Sequence, residues 1–242
     1  MKKLLSATVA VVLISASASA ADLAPPSTVT PVLPPVVALP TWTGVYLGGH
    51  VGGGWGDKWF TGGFGESDGT VPLQGFLGGG QIGANWQIDR WVLGLEGTFT
   101  GTDLTGTGIA FADFGHEFNA KVNWLATVIG RVGVTIDHAL LYAGGGVAFV
   151  RETDTFTDHN EFQRPASNWT GHNTNTGFTF LAGVEYAIDQ YWSARIQYNY
   201  YQVGESFINL LPDSTGSGPL PENTKLRMQS ISAGVNYRFN WL

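Results

Sequence analysis

NAKVNWLATVIGRVGVTIDHALLYAGGGVAFV, residues 119–150, decides the fold. In its first half Val122, Trp124, Ala126, Val128, Val132, Val134 and Ile136 share one parity. Lys121, Asn123, Thr127, Arg131 and Thr135 share the other. A period of two with one apolar and one polar face is the pattern of a β-strand. Asp137-His138 interrupts, and a second apolar strand follows, so the stretch reads as a hairpin with a very short turn. Its arms exceed the usual ~5–6 residues of globular strands and suit the ~9–11 that a tilted strand needs to cross a bilayer. A two-residue turn puts Leu141, Ala143, Val147 and Phe149 on the outer face. A three-residue turn would put Leu140, Tyr142, Ala148 and Val150 there. The first is preferred, because it is the commonest hairpin geometry and aligns Phe149 with other aromatics.

Working outward, the same unit recurs. Val45, Leu47 and Val51 align in a first strand. Phe76, Ile82, Ala84, Trp86 and Ile88 align in a second, and Trp91, Leu93, Leu95 and Phe99 in a third. Phe178, Phe180, Ala182, Val184, Tyr186 and Ile188 form a sixth. Trp192, Ala194, Ile196, Tyr198 and Tyr200 form a seventh, and Ile231, Ala233, Val235, Tyr237 and Phe239 an eighth. Gln87-Ile-Asp-Arg, Thr135-Ile-Asp-His and Ala187-Ile-Asp-Gln are repeated tight-turn signals, 48 and 52 residues apart. Between them run polar stretches at 57–72, 101–118, 152–174 and 204–224, expected to be long loops. The chain is thus predicted to be all-β: an eight-stranded antiparallel up-and-down transmembrane β-barrel with a polar interior. Short turns on one rim and long loops on the other are the asymmetry of outer-membrane barrels.

Composition bounds the alternatives. The 242 residues include 34 glycines and no cysteine, and only 13% are charged. Aromatics at 13% argue against disorder, and the absence of cysteine excludes disulfides and thiol chemistry. The formal charge of −7 offers no nucleic-acid footprint. Met1-Lys2-Lys3, an apolar run at 4–14 and Ala18-Ser19-Ala20 read as a signal peptide over 1–20. Residues 21–41 carry six prolines between 23 and 41 and read as an extended periplasmic linker, either a tether to the cell wall or, the preferred reading, a passive spacer. The barrel domain is then 42–242.

Facing decides between a soluble and a membrane barrel. Glu96, Arg131, Glu185 and Arg195 sit on the polar parity, unlike the lining of an apolar ligand cup. They are expected to meet near mid-height as a paired lumen network, preferred over a selectivity ring because eight-stranded barrels are narrow. Trp86, Trp91, Tyr186, Trp192, Tyr237 and Phe239 lie near the short turns. Trp55, Phe76, Phe99, Trp124, Phe178 and Tyr200 lie near the polar stretches. Two aromatic girdles around an aliphatic band match two membrane interfaces.

Trp42-Thr-Gly-Val-Tyr-Leu-Gly-Gly, Trp124-Leu-Ala-Thr-Val-Ile-Gly-Arg-Val-Gly, Leu141-Tyr-Ala-Gly-Gly-Gly-Val-Ala, Gly183-Val-Glu-Tyr and Gly234-Val-Asn-Tyr-Arg-Phe together resemble the small outer-membrane β-barrel surface antigens of alphaproteobacteria, the outer membrane immunogenic or porin-family proteins. The resemblance implies a surface-exposed barrel in the cell outer membrane, inserted by the barrel-assembly machinery, with no catalytic residues and no cofactor. Family members end in an aromatic assembly signal. Here Tyr237 and Phe239 fit it, but Asn240-Trp241-Leu242 follows, so Trp241, on the same parity, is the other candidate.

The expected role is structural: a barrel that supports envelope integrity and surface contacts with outer-membrane lipid and lipopolysaccharide. The alternative is a narrow passive channel. Loop acids such as Asp57, Asp103, Glu152 and Asp154 suggest an acidic outer face, for which plain solubility is an equal explanation. His116, His159 and His172 raise a haem- or metal-binding surface, but scattered loop histidines are usually just solvated. Ser67, Ser167 and Ser206 are loop serines with no paired base, so a lipid-modifying enzyme is the least favoured class.

Overall fold

The computed structural model describes residues 40–62, 67–110, 116–158, 167–212 and 220–239. The signal-peptide and linker expectations, apart from residues 40 and 41, and the last three residues lie outside them. The described chain forms β1 (Gly44–Gly62), β2 (Ser67–Ile88), β3 (Trp91–Thr102), β4 (Thr105–Ala110), β5 (His116–Ile136), β6 (Ala139–Asp158), β7 (Ser167–Ala187), β8 (Trp192–Pro212) and β9 (Leu220–Phe239). β3 and β4 are one stave broken at Asp103-Leu104, since both pair with β5. Every pairing is antiparallel, and β1 pairs with β9 as well as β2: Leu47 lies between Ile82 and Tyr237. Eight staves therefore close into a barrel, each paired with both neighbours through the apolar band.

The alternation read from the sequence becomes inside and outside. Leu47, Phe76, Ile82, Leu95, Val128, Phe178, Ile196 and Val235 are exposed on the outer surface, while Glu96, Arg131, Glu185 and Arg195 are buried. The Asp137-His138 turn is the two-residue form, with Ile136 paired to Ala139. Leu141, Val147 and Phe149 consequently face out, and Leu140, Ala148 and Val150 face in. Asp89 and Asp137 open the two tight turns with φ of 54° and 51°. Aspartate tolerates this left-handed geometry better than most residues.

Three expectations are corrected. First, the polar stretches are mainly strand, not loop: β1 runs to Gly62, β6 to Asp158 and β8 to Pro212. At ~3.4 Å per residue and a tilt near 40°, strands of 20 or 21 residues rise roughly 50–55 Å, about twice the ~25 Å apolar band of a membrane barrel. The stretches looked like loops because their alternation is inverted. Here the apolar parity, Phe60, Val71, Leu73, Val122, Val150 and Leu226, is the buried one. Second, Val122 points inward and Lys121 outward. A β-bulge at Asn123 shifts the β5–β6 register between Val122 and Trp124 and reverses parity above it. Third, the Asp189 turn is not tight. Pairing resumes only at Ala187↔Ser193. The Asp189 carboxylate accepts the Tyr191 and Trp192 N–H groups, each at 2.7 Å, and props open a wider turn.

Val128, central on the outer face of β5, tests the lipid-facing assignment. Val128→Arg is expected to lower the stability of the vesicle-inserted protein by about 2–4 kcal/mol in urea titrations. Unchanged stability would mean that this face does not contact lipid.

Candidate functional site

The interior is filled in three tiers. The middle tier contains the four residues expected to form a lumen network, and they converge. Glu96 Oε2 accepts from Arg195 Nη1 at 2.7 Å and from the Tyr46 hydroxyl at 2.5 Å, and lies 3.4 Å from Arg131 Nη1. Arg131 Nη1 is also 3.5 Å from Glu185 Oε2. Glu185 Oε1 accepts from Ser193 Oγ at 2.5 Å and Asn236 Nδ2 at 2.8 Å. The Arg131 guanidinium is held between the rings of Tyr46 and Tyr142, at 4.8 and 4.9 Å. Two carboxylates face two guanidinium groups, so the quartet is neutral, as buried charge requires.

Backbone register explains how residues from separate staves meet. Glycine stands on the inner parity wherever a long side chain must cross a neighbouring strand. Tyr46, Gly83 and Glu96 are aligned across β1, β2 and β3, and Tyr46 reaches Glu96 over Gly83. Arg131 likewise crosses Gly94 to donate from Nε and Nη2 to Asn85 Oδ1, at 3.2 and 3.0 Å. Tyr142 crosses Gly183 to donate to Gln197 Oε1 at 2.9 Å. A Cβ on Gly83 would collide with the Tyr46 hydroxyl. These glycines are part of the site, because any side chain there would displace a crossing polar group.

The lower tier lies at the short-turn end. Trp42, Val92, Ile129, Leu140, Leu181 and Ala187 are buried together. Arg238 lies 4.5 Å over the Trp42 ring and donates to the Thr41 and Asp189 carbonyls, both at 3.0 Å. The upper tier is an apolar cap of Phe60, Leu73, Leu104, Phe118, Leu125, Val203 and Met228, with Phe60 and Phe118 stacked at 4.8 Å. Embedded in the cap is a charged group outside the predicted network. Lys58 Nζ contacts Glu152 and donates to Asp154 Oδ2 at 2.6 Å, with all three side chains about 1% exposed. Burial opposes the Lys58 charge, but Glu152 and Asp154 outweigh it and hold its pKa above the ordinary lysine value. Burial lifts the Asp154 carboxyl to about 6, against the pull of Lys58 and with a further push from Glu152.

Between the middle tier and the cap, the void lined by His50, Thr100, Arg195, Gln197, Asn199 and Ser230 measures only about 10 Å³. Glu96 Oε1 and Arg195 Nε have no hydrogen-bond partner among the described residues. A space of this size holds about one water, not a file of them.

The predicted girdle residues are all on the outer surface. Trp86, Trp91, Tyr186, Trp192 and Phe239 are exposed near the short turns, and Trp55, Phe76, Phe99 and Phe178 near the other end of the apolar band. Trp124 and Tyr200 are half-buried at that upper level, with Phe99 and Trp124 5.7 Å apart. Tyr237 is half-buried between Trp192 and Phe239, at 5.2 and 5.0 Å. His172 is exposed and 3.0 Å from Thr153. The side chains of His116, His159, Ser67, Ser167 and Ser206 lie outside the described residues. Sequence reasoning missed Tyr46, Asn85, Tyr142 and Arg238, whose inner parity was the available signal. Lys58 escapes it as well, because its polar stretch has the composition of a loop.

A family model described as outer membrane protein beta-barrel domain matches residues 6–239. The chain is 32% identical to the 31 kDa outer-membrane immunogenic protein of Brucella melitensis, over 99% of this chain and all of that protein. It is 31% identical to the 22 kDa outer membrane protein of Rhizobium leguminosarum bv. viciae, over 85% of this chain and 82% of the relative. Among solved structures, Ail, the attachment invasion locus protein of Yersinia pestis, aligns with a TM-score of 0.37 and 12% identity, over 79% of this chain and 98% of that one.

Two outcomes test the interior. Glu96→Ala strips Arg131 and Arg195 of their shared carboxylate and is expected to cost about 3–5 kcal/mol in urea unfolding. The Asp154 carboxyl binds its proton more tightly in the folded chain than in the unfolded one, where it titrates near ~3.9. Its stabilising contribution is therefore full below the unfolded value and lost as pH rises through about 6. Amide exchange in the cap of the wild type should quicken over that range, and Asp154→Asn should flatten the change. Equal pH profiles for the two proteins would remove Asp154 as the source.

Proposed function

This chain belongs to the outer membrane protein beta-barrel family, and on that premise we propose a structural role: a surface-exposed barrel that stabilises the envelope and carries no solute. The observation that supports it is the filled interior. An apolar cap, a neutral charge network and the Trp42–Arg238 tier succeed one another along the axis, and the void between cap and network is about 10 Å³. A hydrated ion needs a continuous path through all three. The Glu96 and Arg195 side chains act as a brace between staves in this reading, not as a selectivity ring.

The domain scheme carries the same proposal: residues 1–20 a signal peptide, 21–41 a periplasmic linker in reach of the cell wall, and 42–242 the barrel. Assembly by the barrel-assembly machinery would use Tyr237 and Phe239 as the terminal aromatic signal. The role involves neither substrate turnover nor a cofactor.

Conductance separates the plug from a pore. Purified, refolded protein in planar bilayers is expected to give no stable single-channel current. A steady, charge-selective conductance that changes in Arg131→Ala would replace the structural role with a narrow passive channel.

A further inference from the structure

The cations of this acidic chain are distributed unevenly. Lys58, Arg131 and Arg195 are buried and ion-paired, and Arg238 is buried against carbonyls. Four others, Lys121, Arg151, Lys225 and Arg227, lie on outward-facing strand positions just beyond the upper aromatic girdle. Arg151 is paired in register with Trp124, and Arg227 stands opposite Asp57, two residues beyond Trp55. Among the described residues, none of these four is in an ion pair.

Lys121 and Arg151 form the most exposed pair. The bulge at Asn123 puts them together: it turns Lys121 out of the barrel, on the strand next to Arg151. Re-aiming a side chain is a recurring use of β-bulges. Lys121 is flanked in register by Thr105 and Thr153. Arg151 Nη1 is 3.4 Å from Thr174 Oγ1. The carboxylates nearest to Arg151 in sequence, Glu152 and Asp154, are buried around Lys58 inside the barrel. The outer surface here thus presents two cations and neighbouring hydroxyls.

We infer that Lys121 and Arg151 bind a phosphate of lipopolysaccharide in the outer leaflet. Tryptophan girdles mark the boundary between acyl chains and headgroups, so the level just above Trp124 is where a glycolipid phosphate lies. Guanidinium and ammonium groups make charge-assisted hydrogen bonds to phosphate, and threonine hydroxyls add neutral ones. The inference rests on the proposed surface-facing orientation of the barrel, with its short turns in the periplasm.

The test is retention of fluorescent lipopolysaccharide by the full, refolded protein in phosphatidylcholine nanodiscs. The wild type should bind the phosphorylated lipid. The double substitution Lys121→Gln with Arg151→Gln should weaken binding about tenfold or more, the scale of one charge-assisted contact. Dephosphorylated lipopolysaccharide should bind as weakly to the wild type as the intact lipid does to the variant. Arg90→Gln, at the opposite rim, should leave binding unchanged. Equal binding by the double variant, equal binding of dephosphorylated lipid, or an equal loss in Arg90→Gln would each overturn the inference. The variant's circular dichroism and resistance to unfolding should match the wild type, because both side chains point away from the interior. Planar-bilayer conductance reports on the lumen and lipid retention on this patch, so failure of one reading is distinguishable from failure of the other.

Discussion

Closure of the sheet is the constraint on which everything else depends. β1 hydrogen-bonds to β2 on one side and β9 on the other, so through the apolar band every stave is paired on both sides. In hydrocarbon an unpaired peptide group costs several kcal/mol, which makes closure a condition of existence in a bilayer. Closure also fixes orientation. Once Leu47 lies between Ile82 and Tyr237, each residue along β1 is assigned alternately to the outside or the interior. Parity can then change only at a bulge. The solvent outside decides which parity must be apolar, and the narrow interior decides how large the other side chains can be.

The charged network follows from that geometry. An eight-stranded barrel is just wide enough for side chains to fill. Residues on staves two apart can touch only if the stave between them gives way. Gly83, Gly94 and Gly183 do so, and over them pass Tyr46, Arg131 and Tyr142. The quartet of Glu96, Glu185, Arg131 and Arg195 therefore ties together β3, β5, β7 and β8. Its neutrality separates it from the Lys58 cluster above, where two carboxylates share one cation and Asp154 holds its proton to about pH 6.

Much of this was legible in the sequence, because alternation is a local signal and closure converts it directly into facing. Strand order, the outer face of β6 and the inward placing of Glu96, Arg131, Glu185 and Arg195 all follow from parity and turn length. Three things were not legible. The bulge at Asn123 leaves no mark in composition, and parity counted from the turn fails above it. The strand extensions have polar outer faces and many glycines, so their inverted alternation resembled loop. The crossing pairs depend on inter-strand register. Inner-parity glycines beside Tyr46 and Tyr142 hinted at them, but only pairing identifies the partner.

The inversion of polarity along one continuous barrel accounts for the placing of the tiers. Below the upper girdle the outside is lipid, so apolar side chains are committed outward and the interior receives polar ones. Those polar groups must satisfy each other, which the glycine crossings allow. Above the girdle the outside is water, apolar side chains gain nothing there, and the same alternation sends Phe60, Leu73, Leu104 and Phe118 inward. That cap covers the outer end of the charge network, as Trp42 and its neighbours cover the inner end. Between these two apolar tiers the ion pairs are deeply buried and operate at lower effective dielectric, where each contact is stronger and each unpaired charge more costly. The cap and the network thus depend on one another. Opening the cap would hydrate the charges and weaken the brace, whereas removing a charge would leave its partner buried without compensation. An interior packed in this order avoids both costs at once.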